Sequence, residues 1–413
     1  MTSMIKNFPQ RLLNLPKRSL FIVTNDENYK SPSKPKYNYR KYGYGMLQLF
    51  DSTFPRVNDN TKMLVVTGNM FSGKSILAQN LAPHFDLMVH DDICDDDIYI
   101  FKGPNGAEAD LRVHNHILPK HAQYFTTAKF WSEKDLLAHG KPLLLQNQYL
   151  VYRFYRYSLA LCDLLNTGRG QIMIHAPFEE AALSKAMFDC GMMSERAYEC
   201  FCRNHGIILK NVMKPHVILY LKSSIEQIKE RIAKRNLDWE INSPSLNEKF
   251  FNAYEDALQS YLEKMSSYCE IVVVDRRNID VENQDDVFIL ANELTNLDLS
   301  GDRIIGDDKK FQDWRAAFLT KYSWGNQRSK VSNAFANFNS GVRYIDVPYD
   351  MPEGFYEEEI IEIQNYLKKR DARFCYPIEC NPKFHSLFQI MLNPFHYPRN
   401  FEVDLPKKFV TKI

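Results

Sequence analysis

Apolar and polar positions fall into two alternating textures along this chain. Five short runs, MLVVT (63–67), LMVH (87–90), QIMI (171–174), HVILYL (216–221) and EIVVVD (270–275), are almost wholly apolar and rich in β-branched residues. Between them lie stretches such as ILAQNLAPHF (76–85), SSIEQIKERIAKR (223–235) and NEKFFNAYEDALQSYLEKM (247–265), whose apolar residues recur at helical spacing. A strand that is apolar throughout must be covered on both faces. Alternation with helices therefore predicts an α/β fold: a parallel five-stranded sheet with helices on both sides, within residues 61–300.

The pattern breaks at both ends. Residues 26–60 are polar, hold Pro32, Pro35 and the run YNYRKYGYG, and read as an extended arm. Residues 301–413 are proline-broken and irregular, and from 310 onward 20 of 104 positions are aromatic, 19% against 13% for the chain. Aromatic area on that scale suits an interface core better than a linker. Tyr344, Tyr349, Phe355 and Tyr356, beside Pro348 and Pro352, are its expected contacts. The alternative is that the extension packs back on its own domain.

Composition narrows the function classes. A net charge of +1 gives no electrostatic case for a nucleic-acid partner. No apolar run approaches the ~20 residues that span a bilayer. The eight cysteines are scattered without metal spacing and suit a reducing compartment. Residues 1–25 carry Lys6, Arg11, Lys17 and Arg18 with no acid and no continuous apolar block, the composition of a mitochondrial presequence.

The clearest chemical motif is Gly68-Asn69-Met70-Phe71-Ser72-Gly73-Lys74-Ser75, which satisfies G-x-x-x-x-G-K-[ST] between a strand and a helix. Its glycines let backbone N–H groups turn inward around phosphate, Lys74 adds a positive charge, and the Ser75 hydroxyl suits Mg²⁺. Past the second strand come Asp91 and Asp92, then Asp95-Asp96-Asp97. Ligands in such sheets bind beyond the carboxyl ends of strands, so Asp91 or Asp92 is a candidate base or Mg²⁺ partner. The competing reading is a solvated turn with helix-capping aspartates.

These motifs, with LQNQYLVYRFYRYSLALCDLLNTGRG (145–170), AMFDCGMM (186–193), HVILYLKSSIEQIKERIAKR (216–235) and NAYEDAL (252–258), resemble the deoxynucleoside kinases in order and spacing over roughly residues 60–300. The arm and the aromatic extension resemble the branch of that family found as accessory subunits of mitochondrial respiratory complex I. The resemblance implies that Gly68, Asn69, Ser72, Gly73, Lys74 and Ser75 form the phosphate site and that Gln146 pairs with a nucleobase. It also places Asp91 or Asp92 at the catalytic carboxylate and Arg231 and Arg235 on the lid. Gln146 also reads as an ordinary polar residue opening a helix, and the lid bases, with Lys234, as a solvated stripe.

The departures are specific. Kinases of the family end the strand read here as QIMI with an acid, an arginine and a serine; counted along this chain, those positions are Ile174, His175 and Ala176. A further lid arginine falls on Leu237. The resemblance thus implies a non-catalytic accessory subunit with complex I subunits as partners, peripheral to the inner membrane on its matrix side. It requires no cofactor, and a purine (deoxy)nucleotide with Mg²⁺ is its expected ligand. Family accounts also imply a flavin, but no G-x-G-x-x-G follows a strand here. A working mitochondrial deoxynucleoside kinase and a free matrix nucleotide-binding protein are the alternatives.

Overall fold

The structure, a computed structural model, describes residues 21–33, 56–102, 108–116, 123–137, 141–210, 212–297, 299 and 310–314. The basic segment before residue 21, most of the arm and most of the extension, including Tyr344, Tyr349, Phe355 and Tyr356, lie outside them.

In chain order the elements are β1 (Met63–Gly68), α1 (Lys74–Leu81), β2 (Met88–His90), α2 (Asp95–Tyr99), β3 (Ile100–Lys102), β4 (Glu108–Asp110) and α3 (Thr127–Trp131). Then follow α4 (Lys141–Thr167), β5 (Gln171–Ile174), α5 (Glu180–Asp189), α6 (Glu195–Leu209), β6 (Val217–Lys222), α7 (Ile225–Arg235) and α8 (Asp238–Ile241). The last are α9 (Glu248–Met265), β7 (Glu270–Asp275) and α10 (Gln284–Leu294). Five strands form one sheet in the order β2-β5-β1-β6-β7, with every pairing parallel. β3 and β4 form a separate antiparallel pair. The five apolar runs are thus the five strands of the main sheet.

The period of two within each strand divides the core. Leu64, Val66, Ile172, Ile174, Val217, Leu219 and Leu221 pack on one face with Leu77 and Leu81 of α1 and Leu290 and Leu294 of α10. Met63, Val65, Met173, Ile218 and Tyr220 pack on the other with α4, α5, α6 and α9. Both faces of the inner strands β5, β1 and β6 are covered, as their unbroken apolar runs require, while edge strand β7 leaves Val273 59% exposed.

Strand order positions the site. From β1 the chain passes over the β5 slot to β2, returns to β5, and then crosses β1 to reach β6. That reversal leaves a crevice at the carboxyl ends of β1 and β5, where open α/β sheets bind ligands.

Two outlying pieces are built into this domain. Phe21 is fully buried against Phe85, with ring centroids 4.9 Å apart, and Asn60 brackets the backbone of Ile22 through both its N–H and its carbonyl. At the other end, Phe311 and Trp314 are 4% and 1% exposed. The Trp314 ring lies 3.9 Å from that of His216, and its Nε1 donates to Lys214 O at 2.7 Å. The start of the extension therefore packs back on the sheet domain.

Candidate functional site

The loop between β1 and α1 is closed by two glycines in positions a side chain would not fit. Gly68 has φ +150°, and a Cβ there would lie 2.6 Å from Leu221 O; Gly73 has φ +102°, and a Cβ there would meet an Arg231 guanidinium nitrogen at 2.5 Å. Lys74 opens α1 with its side chain buried, because Lys74, Leu77, Ala78 and Leu81 form the inward stripe of that helix. Its ammonium folds back on its own loop, donating to Gly68 O at 2.9 Å and Asn69 O at 2.7 Å. Burial pulls its pKa down to about 8 against the attraction of Glu179 and Asp92. Asn69 anchors the loop to α9 through Phe251 O (3.0 Å) and Glu255 (3.2 Å). The Ser72 hydroxyl is buried without a partner, and Ser75 is exposed on the first turn of α1.

Only one of the two candidate aspartates turns inward. Asp91 is exposed and meets Gln79 at 3.4 Å. Asp92 receives two bonds from Arg153, Nε and Nη2 each at 3.0 Å. Asp95, Asp96 and Asp97 form the first turn of α2, where Asp97 accepts from Cys94 N and Asp95 from Thr127 N as caps, while Asp96 pairs with Arg112 at 2.8 Å. Arg153 is 4% exposed, stacks over Tyr149 at 4.8 Å, and also pairs with Glu180, which is 1% exposed.

Beyond β5, Ile174 points into the α1-side core at 1% exposure, and His175 adopts φ +57°. His175 Nδ1 lies 3.0 Å from Glu179, off the line of a hydrogen bond, and its Nε2 lies 3.8 Å from Asp92. Glu179 accepts from the Tyr254 hydroxyl at 2.9 Å; its second oxygen is buried and closes no well-formed hydrogen bond, although the Thr67 hydroxyl also acts on the carboxylate. Burial alone would raise the pKa of both Asp92 and Glu179. Arg153 and His175 beside Asp92, and His175 and Lys74 beside Glu179, outweigh that and hold both below the ordinary carboxylate range.

Gln146 is fully buried on α4, two turns before Arg153; its Oε1 accepts from Ser184 at 3.0 Å and its Nε2 has no partner. The lid bases divide. A capping box of Ser224 and Gln227 starts α7, buried Ile228 and Ile232 dock it, and this brings Arg231 onto Gly73 with one terminal nitrogen buried and unpartnered. Arg235 lies over the Phe71 ring at 5.5 Å and pairs with Glu240 at 2.9 Å; Lys234 pairs with Glu282 at 3.2 Å; Leu237 precedes α8, 37% exposed.

The fold therefore gathers Gly68, Asn69, Ser72, Gly73, Lys74, Ser75, Asp92 and Arg231 at one crevice. Sequence reasoning missed Arg153, Glu179 and Glu180. The available signal was a charge placed among inward apolar positions: Arg153 stands seven residues after Gln146 on one helix face, and Glu179-Glu180 stands on the apolar side of a helix start.

Burial of three histidines, His175 at the crevice and His205 and His216 elsewhere in the domain, has a consequence with pH. Desolvation lowers the pKa of His175, drops that of His205 to about 4, and pushes that of His216 well below its ordinary value. Above about pH 6.5 these side chains are neutral in folded and unfolded chains alike. Below it the unfolded chain takes up protons that the folded chain refuses, so stability is lost as pH falls from about 6.5 toward the folded values. Each histidine contributes up to about 1.4 kcal/mol per pH unit in that window. Thermal melts should show a lower Tm at pH 5 than at pH 7.5; equal values would contradict the burial of these rings.

A parallel sheet of this order, with a glycine loop and lysine after its first strand, defines a P-loop fold of the kinase-like class. Residues 64–297, more than half of the 413, match the sequence profile of the family described as deoxynucleoside kinase, and the chain belongs to that family. Among its relatives is NADH dehydrogenase (ubiquinone) 1 alpha subcomplex subunit 10, mitochondrial, of Rattus norvegicus, 24% identical over 56% of this chain and 63% of that protein. Deoxyguanosine kinase of Dictyostelium discoideum is 21% identical over 59% of this chain and 73% of that protein. The chain thus spans less than two thirds of the rat subunit. The solved deoxyadenosine kinase of M. mycoides with bound dATP matches 56% of this chain and 98% of its own, at 15% identity and a TM-score of 0.41.

Proposed function

We propose that this chain is an accessory subunit of mitochondrial respiratory complex I, on the matrix side of the inner membrane. In this reading it uses a deoxynucleoside-kinase fold as a scaffold, keeps a purine nucleotide in its phosphate loop, and transfers no phosphoryl group. Similarity to the rat subunit supports the assignment to the complex. No helix among the described residues is long and apolar enough to cross a membrane.

One observation carries the non-catalytic reading, the arrangement beyond β5. Ile174 is sunk in the core, where it can hold no metal, and His175 is kept toward its neutral form by burial. Of the guanidiniums at the crevice, Arg153 is already bound to Asp92 and Glu180, and Arg231 sits on Gly73 rather than beyond β5. Phosphoryl transfer depends on positive charge free to follow the transferring group, and a supplied arginine is worth roughly 10³–10⁵ in rate in related systems.

A radiolabelled-ATP assay of the purified chain across the four deoxynucleosides should show negligible product. Turnover of about 1 s⁻¹ or more would replace this reading with a working kinase. Comigration with complex I on a native gel checks the other half, and migration wholly apart from the complex would overturn it.

A further inference from the structure

We infer that Glu179 takes the place of the metal-binding carboxylate missing at position 174, so that nucleotide binding to this cradle is coupled to Mg²⁺ through Glu179. The inference rests on the reading that the cradle holds a nucleotide, and adds which residue of this chain faces the metal.

The first ground is position. Glu179 lies one turn beyond β5, at the carboxyl end of the strand paired with β1, and its charge acts directly on Lys74. Position 174 cannot serve, because the period of two turns that residue into the α1-side core. The chain restores a carboxylate to the same strand end five residues later, where a short helical turn brings it back over the crevice.

The second ground is an unfilled valence. Glu179 is 1% exposed, and only one of its oxygens is bonded, to Tyr254. The other is buried and closes no well-formed hydrogen bond, although the Thr67 hydroxyl also acts on this carboxylate. A buried carboxylate oxygen left unbonded is costly, and a bound cation would satisfy it.

The third ground is charge. Asp92, Glu179 and Glu180 set three negative charges against the three of Lys74, Arg153 and Arg231, so the crevice offers no surplus of positive charge. A nucleotide polyphosphate entering it needs a cation more than it would in an electropositive loop. No trio of His, Cys, Asp or Glu among the described residues is placed to hold a metal with protein ligands alone. Mg²⁺ at phosphate sites takes one or two carboxylates together with phosphate oxygens and water, and exposed Ser75 and Glu179 fit that pattern. When bound, the ion would neutralise phosphate charge; Glu179 and Ser75 would hold it, and Lys74 would be free to leave its loop carbonyls for phosphate.

The experiment is calorimetric titration of ATP into the full chain, in Mg²⁺ and in EDTA, for wild type, Glu179→Gln and Tyr254→Phe. Wild type should bind ATP about tenfold or more tightly in Mg²⁺. In Glu179→Gln that gain should fall to about twofold or less, with affinity in EDTA unchanged or improved because a repelling charge is gone. Tyr254→Phe keeps the carboxylate and should keep the gain, and it carries the test if Glu179→Gln does not fold; loss of the gain in Tyr254→Phe would overturn the inference. An equal gain in wild type and Glu179→Gln would place the metal elsewhere and overturn it. ATP binding indifferent to Mg²⁺ in wild type would overturn it while leaving the cradle reading intact. No ATP binding in either buffer would overturn both.

Discussion

Arg153→Ala should destabilise the folded chain by roughly 3–5 kcal/mol, the cost of leaving buried charges without their partner. Arg153 is 4% exposed and is bonded to Asp92 on one side and Glu180 on the other, so its removal strands two carboxylates. It also removes the stack on Tyr149. Arg153→Lys keeps the charge but cannot fork between two acids, and should fall between wild type and alanine. The pair Arg153→Met with Glu180→Gln removes opposite charges together and should recover part of the loss, since apolar or neutral replacements of buried ion pairs are often tolerated. Denaturant midpoints at unchanged slope would measure this. A loss under about 1 kcal/mol for Arg153→Ala would mean that water reaches the cluster and that it does not organise the crevice.

Trp314→Ala should cost a similar amount, about 3–5 kcal/mol, by the usual penalty for emptying a buried aromatic site. Trp314 covers His216 at the start of β6, bonds to Lys214 O, and is held by Asp313, which accepts from Lys214 N at 3.0 Å. Phe311 joins the α1-side core and donates its backbone N–H to Tyr268 O at 2.8 Å. A chain ending at residue 300 keeps all five strands of the sheet yet loses both aromatics. It should therefore unfold at a lower denaturant concentration than a chain ending at 314. Equal midpoints for the two truncations would show that these contacts add nothing to the domain. A loss confined to the shorter form would assign residues 310–314 to the domain rather than to docking.

The five strands and most helices were legible because their information is local. A strand covered on both faces must be apolar throughout, and a covering helix must carry a stripe, so QIMI matched β5 residue for residue; EIVVVD matched the span of β7, but at the sheet edge its Val273 is 59% exposed. The phosphate loop was legible for the same reason, its glycines being required by backbone torsions set within eight residues. Some positions were not legible. Nothing in the sequence chose between Asp91 and Asp92; a strand of three residues and its turn decided which faced Arg153 from a helix sixty residues away. Ile174 and His175 read correctly as departures from the family pattern, yet Glu179, five residues past the first, became visible only when the turn after β5 folded it beneath Lys74. Trp314 looked like one aromatic among twenty. Sequence alone determined the sheet, its covering helices and the cradle, because periodicity and torsion are properties of neighbouring residues. The tertiary structure alone decided the charge cluster and the docked start of the extension, because a buried charge or ring is defined by partners that lie far along the chain.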